Sequence, residues 1–148
     1  CTFEGGMRVP AIAWWPGKVK AGVESSHVAY FGDWMATAAE LAGAAAPGDV
    51  DSLSFVPALL GKEQKAHEYL YWEFHERGFT QAALWQGRWK GIRSGGPDAP
   101  VVLHDLKEDI GESKDAALAQ PAIAARIGDW LKTARSDSPD WIPAWRDK

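Results

Sequence analysis

The residues whose types and spacing could do chemistry lie in Tyr69-Leu70-Tyr71-Trp72-Glu73-Phe74-His75. Strand alternation puts Leu70, Trp72 and Phe74 on one face, and Tyr69, Tyr71, Glu73 and His75 on the other. An imidazole can donate to a hydroxyl or an anion. A carboxylate two residues away can accept from a hydroxyl or orient the ring. The same residues also suit an ordinary half-exposed sheet face, with the apolar face packed on a helix. His75-Glu76 does not open a zinc-protease motif, because position 79 is Phe and not His.

Other reactive side chains lead less far. Cys1 stands in Cys1-Thr2-Phe3-Glu4-Gly5 and reads as an apolar residue before a strand. Arg8 could meet an anion, but a guanidinium tying a glycine turn to nearby carboxylates is the expected role. Asp49 and Asp51 begin a calcium-loop spacing that fails after the second Asp, so a solvated loop is expected. No residue of this chain is assigned as catalytic and none as a metal ligand.

Several elements must position these groups. Gly5-Gly6 marks a tight turn or a close approach, and the apolar run 11–15, closed by Pro16-Gly17, predicts a buried strand. Phe31, Trp34, Met35, Ala38, Leu41 and Ala42 recur at helical spacing as one apolar stripe, with Asp33 as cap or first-turn acid. Strands are predicted at 69–74, 81–85, 88–93 and 101–106, with a hairpin turn at Gln86-Gly87. Pro121 opens a last helix whose stripe is Ile123, Ile127, Trp130, Leu131 and Ala134. The tail, with Trp141 and Trp145, is expected to lie on the body through its indoles.

The totals set bounds. A chain of 148 residues, 46% hydrophobic and 24% charged, can bury a core of its own. A net charge of −4 gives no basic field for nucleic acid. A single cysteine excludes an internal disulfide and a cysteine zinc site. No apolar run reaches the length of a membrane span.

Five stretches in order resemble the type I sulfatases of the alkaline-phosphatase superfamily. They are Phe3-Glu4-Gly5-Gly6-Met7-Arg8-Val9-Pro10 running on to Trp15-Pro16-Gly17; Asp33 to Gly43; Asp51 to Gly61; Tyr71-Trp72-Glu73-Phe74 with Gly87-Arg88-Trp89-Lys90; and Leu103-His104-Asp105-Leu106. The likeness extends to about Glu112. Ala36, Ser52, His104 and Ile110 depart from the family's usual residues at structural positions.

The resemblance implies the C-terminal part of a longer enzyme that hydrolyses sulfate esters. Its formylglycine nucleophile and its calcium ligands would lie upstream, and Cys1 lacks the Cys-x-Pro-Ser-Arg context of that nucleophile. The implied fold class is α+β. Residues 1–65 would form an edge of the α/β core, strand plus helix. Residues 66–148 would form a small four-stranded antiparallel sheet packed against a C-terminal helix. The resemblance puts the end of the 69–74 strand near the family's active-site cleft, which makes Glu73 and His75 the candidates for substrate binding. The implied partners are the N-terminal catalytic portion of the same protein and a sulfated small molecule or glycan, and the implied location is periplasmic or secreted. A sibling phosphate or phosphonate ester hydrolase and a carbohydrate-binding module stay open as alternatives.

Overall fold

The computed structural model describes residues 1–76 and 78–140. It has two compact units, one of Cys1–Val9 with Glu68–Lys148 and one of Pro10–His67. The readings made on Trp141 and Trp145 lie outside the described residues. Among those residues no helix is long and apolar enough to cross a membrane.

The first unit is an α+β layer. Strands β1 (Tyr69–Phe74), β2 (Thr80–Trp85), β3 (Trp89–Ser94) and β4 (Val101–Asp105) form one antiparallel sheet in sequence order. Gln86 and Gly87 both have positive φ, 54° and 65°. That pair follows the right-handed twist of the strands it joins. The register sets Tyr71 opposite Ala83, Ala83 opposite Gly91, and Gly91 opposite Leu103. A helix (Pro121–Thr133) lies over this row, and Ile127 and Leu131 complete the core with Ala83 and Leu103.

The helix therefore covers the face of Tyr69 and Tyr71, and not the face of Leu70, Trp72 and Phe74 as the alternation suggested. The phenols are large apolar bodies with one polar tip, so they pack under a helix once that tip is bonded. The other face is covered as well. Leu70, Ala82, Leu84 and Ile92 are all buried. A short helical turn, Glu4–Met7, carries the Glu-Gly-Gly stretch, so the expected tight turn is one turn of helix. Gly6 still marks a close approach, since a Cβ there would meet Cys1 Sγ at 2.6 Å.

The second unit departs further from expectation. Residues 11–15 form no strand, and Ile12 is 95% exposed. A strand needs a neighbour for its N–H and C=O groups, and within this unit none is present among the described residues. The predicted helix is a 3-10 turn (Phe31–Asp33) followed by Trp34–Leu41, and a shorter helix spans Val56–Leu59. Its buried side is Asp33, Ala36 and Thr37, while Phe31, Trp34, Met35 and Leu41 are exposed. The stripe read as core is thus an uncovered apolar surface. Hydrogen bonds decide the orientation: Thr37 Oγ1 donates to the Asp33 carbonyl and accepts from Phe55 N–H, and Ser52 Oγ accepts from Ala36 N–H.

Helix and sheet approach closely at Gly91, where an added Cβ would run into Ile127 Cγ2 and come within 2.9 Å of Val101 Cγ1. Both neighbours are branched and held in the core. Gly91→Ala is expected to lower unfolding free energy by about 1–3 kcal/mol, the usual scale for overpacking. Urea denaturation monitored by tryptophan fluorescence measures it, and an unchanged midpoint would refute it.

Candidate functional site

Glu73 and His75 do come together. His75 Nε2 lies 3.1 Å from Glu73 Oε2, and the His75 ring meets Phe79 edge-on at 5.4 Å. Glu73 itself is occupied. Its Oε1 accepts from the Tyr71 hydroxyl and, at 2.9 Å, from Gln81 Nε2; its Oε2 accepts from Arg135 Nη1 at 2.7 Å. Gln81 also donates to the Tyr71 oxygen at 2.8 Å and accepts from Arg93 Nη1 at 3.3 Å.

This network joins three strands to the chain just after the last helix, and its cause is local. The register pairs Glu73 with Gln81 and Gln81 with Arg93, so the three polar residues form one row under the helix end. Burial alone would raise the Glu73 carboxyl. The bonds from Tyr71, Gln81 and His75, with the charge of Arg135, outweigh it and hold the group below the usual carboxylate value. Tyr71 is pushed up by burial and then by its bond to that carboxylate. So Glu73 is an anchored anion, and His75 is the outer member of the pair, with its side chain 21% exposed.

A second charged centre was not foreseen. Lys90, on the opposite face of the sheet, is fully buried between two carboxylates, with Nζ 2.9 Å from Glu4 Oε1 and 2.9 Å from Glu112 Oε1. The first is a hydrogen bond. The second is a charge contact outside hydrogen-bond directions. Glu112 Oε2 accepts from the Glu4 backbone N–H at 2.6 Å, and Arg8 Nε donates to Glu4 Oε2 at 2.6 Å. Arg8 thus ties the Glu-Gly-Gly turn to a carboxylate, as expected. Burial raises the Glu4 carboxyl, but the bonds from Lys90 and Arg8 prevail and lower it. The one signal available in the sequence was a lysine inside Trp89-Lys90-Gly91-Ile92, at a position where a doubly covered strand should be apolar.

In the second unit Asp33 is a hub as well as a first-turn acid. It is fully buried and accepts from Tyr30 N–H and Leu53 N–H, and His67 Nε2 lies 2.9 and 3.0 Å from its two oxygens. Among the described residues no three His, Cys, Asp or Glu side chains converge to hold a metal ion. The donor set of the described residues does not fit a calcium ion.

Comparisons with known proteins agree on one region. The family model described as N-sulphoglucosamine sulphohydrolase, C-terminal, matches residues 1–134. The N-acetylgalactosamine-6-sulfatase of Canis lupus familiaris is 43% identical over 91 residues, 60% of this chain and 17% of that protein. The Homo sapiens N-acetylgalactosamine-6-sulfatase is 34% identical over 126 residues, 72% of this chain and 23% of that one. A solved 2-O GAG sulfatase shares 29% identity with TM-score 0.57, covering 66% of this chain and 22% of its own. A protein solved with its substrate D-glucosamine-2-N,6-O-disulfate has the same fold, with TM-score 0.69 at 19% identity, covering 87% of this chain and 28% of its own. The chain therefore spans less than a third of the length of these relatives.

Two outcomes follow from the buried charges. Lys90→Met leaves Glu112 without its cation and Glu4 with Arg8 alone, and breaking a buried pair this way costs about 3–5 kcal/mol. A loss under 1 kcal/mol in urea melts would contradict it. The second concerns acid. Glu4 and Glu73 have folded-state values below the ordinary 4.5, so the unfolded chain binds more protons near that pH. Their contribution is complete above pH 4.5 and is lost as pH falls through the folded-state values. Glu73→Gln should flatten the fall in stability below pH 4.5; an unaltered slope would refute this.

Proposed function

Because the chain belongs to the N-sulphoglucosamine sulphohydrolase C-terminal family, we propose that it is the C-terminal part of an enzyme that hydrolyses sulfate esters. The match over residues 1–134 carries this reading. The chain completes that enzyme's fold and shapes its substrate cleft. Its partner is the catalytic portion of the same protein, and the uncovered Phe31, Trp34, Met35 and Leu41 surface supports such a partner, since an apolar patch of this kind marks an interaction face. A formylglycine nucleophile and calcium ligands belong to that portion.

Within the cleft, His75 makes the substrate contact and Glu73 orients it. Glu73 has Tyr71, Gln81 and Arg135 as donors already, so it has little left for a sugar hydroxyl. Its Oε2 faces His75 Nε2, which fixes the ring, and an imidazole at the outer end of the network can meet a hydroxyl or an anionic group. The substrate class is a sulfated aminosugar, the class for which the dog and human relatives are named.

The test uses the longer protein encoded with this stretch. It should turn over a sulfated aminosugar and an aryl sulfate faster than the matching phosphate esters; faster phosphate turnover would overturn the reading. His75→Ala should raise KM for the sugar substrate about ten- to a hundredfold, the worth of a hydrogen bond to a charged group, with kcat nearly unchanged. An unchanged KM in a folded variant returns His75 to a purely structural role. The 148-residue chain alone should leave an aryl sulfate intact, and turnover abolished by Cys1→Ala would contradict that.

A further inference from the structure

Every described arginine but one donates to an acceptor of the protein. Arg8 donates to Glu4, and Arg88 to Asp105 through two groups. Arg93 donates to Gln81 and the Ala99 carbonyl, and Arg135 to Glu73 and Asp137. Arg126 is the exception. It is exposed on the last helix, with its guanidinium 5.0 Å from the Trp85 ring and 5.8 Å from the Trp130 ring. Among the described residues it has no hydrogen-bond or ion-pair partner.

The rings beneath it are built into the fold. Tyr69, Trp85 and Trp89 lie in one register row at the turn end of the sheet. Trp130 stacks on Tyr69 with centroids 4.5 Å apart and planes at 16°, and meets Trp85 at 6.0 Å. A guanidinium over an indole uses its π face and keeps its in-plane donors. Stacking also restrains the side chain, so less freedom is lost when an anion binds. Planar paired donors match the oxygens of a sulfate or carboxylate. The half-exposed indoles beside it offer broad amphipathic faces suited to the apolar side of a sugar ring. This end of the sheet is about 13 Å from Glu73, four residues along β1.

We propose that Arg126, with Trp85 and Trp130, forms a second binding site, for an acidic saccharide, its sulfate or carboxylate on the guanidinium and its ring against an indole. The choice of a saccharide rests on the sulfate-ester reading; the anion preference rests on the unspent guanidinium.

The test titrates the 148-residue chain with N-acetylgalactosamine 6-sulfate, following the tryptophan indole N–H signals by NMR. The signals of Trp85 and Trp130 should move. Arg126→Gln and Arg126→Lys should each weaken binding about tenfold or more, and unsulfated N-acetylgalactosamine should bind weaker by a similar factor. Arg126 is exposed in a helix and Gln is a good helix former, so the fold should survive. Equal binding by Arg126→Gln, shifts confined to other residues, no binding, or equal binding of inorganic sulfate or of an acidic peptide would each overturn the proposal. Sulfate-ester turnover by the longer protein with binding unaltered in Arg126→Gln removes this inference alone. Arg126-dependent binding in a protein that prefers phosphate esters removes the catalytic reading alone.

Discussion

An ammonium group taken fully out of water must be met by opposite charge, and Lys90 is met by carboxylates that come from far apart in the sequence. Glu4 reaches it from the first helical turn and Glu112 from the loop after β4. Each contact alone would leave a charge short of partners in a place where water does not compensate. Together they make one assembly of Lys90, Glu4, Glu112 and Arg8, and that assembly seats Cys1–Val9 on the sheet. The Phe-Glu-Gly-Gly stretch and the Gly-Arg-Trp-Lys stretch, which carried the resemblance separately, are two halves of a single contact.

The two faces of the sheet handle polar groups in parallel ways. Under the helix, Glu73 is surrounded by Tyr71, Gln81 and Arg135; on the other face Lys90 is surrounded by Glu4 and Glu112. In both cases a charged residue lies on a covered face of the sheet, and in both cases its partners include a residue distant in sequence. Arg135 lies 62 residues from Glu73. These polar ties specify which segments meet, in addition to the non-directional packing of Ile127, Leu131, Ala83 and Leu103.

The strands, the Gln86-Gly87 turn and the last helix were legible because their signals are local: period-two alternation, a glycine in a short loop, and an apolar stripe opened by Pro121. The choice of face was not legible. Leu70-Trp72-Phe74 and Tyr69-Tyr71 can both be buried, and only the helix position decides between them. The apolar run at 11–15 and the stripe from Phe31 to Leu41 were read as buried, since sequence period reports what a surface would bury and not what is present to cover it. The candidate pair Glu73 and His75 was legible from spacing. The donors that saturate Glu73 were not, because Arg135 joins it only through the fold.

The separation of Glu4 from its partners also bears on how the chain is made. Glu4 lies 86 residues before Lys90 and 108 before Glu112. At about 5–20 residues per second, the Glu4–Met7 turn is synthesised about 4–17 seconds before its lysine. Closing so long a loop adds only slowly to the entropy cost, so the wait is a matter of time and exposure. A segment docked by a carboxylate spends that interval hydrated, whereas a purely apolar one would be open to wrong partners. The charged clasp therefore lets the Glu4–Met7 turn stay in solution until the sheet that receives it exists.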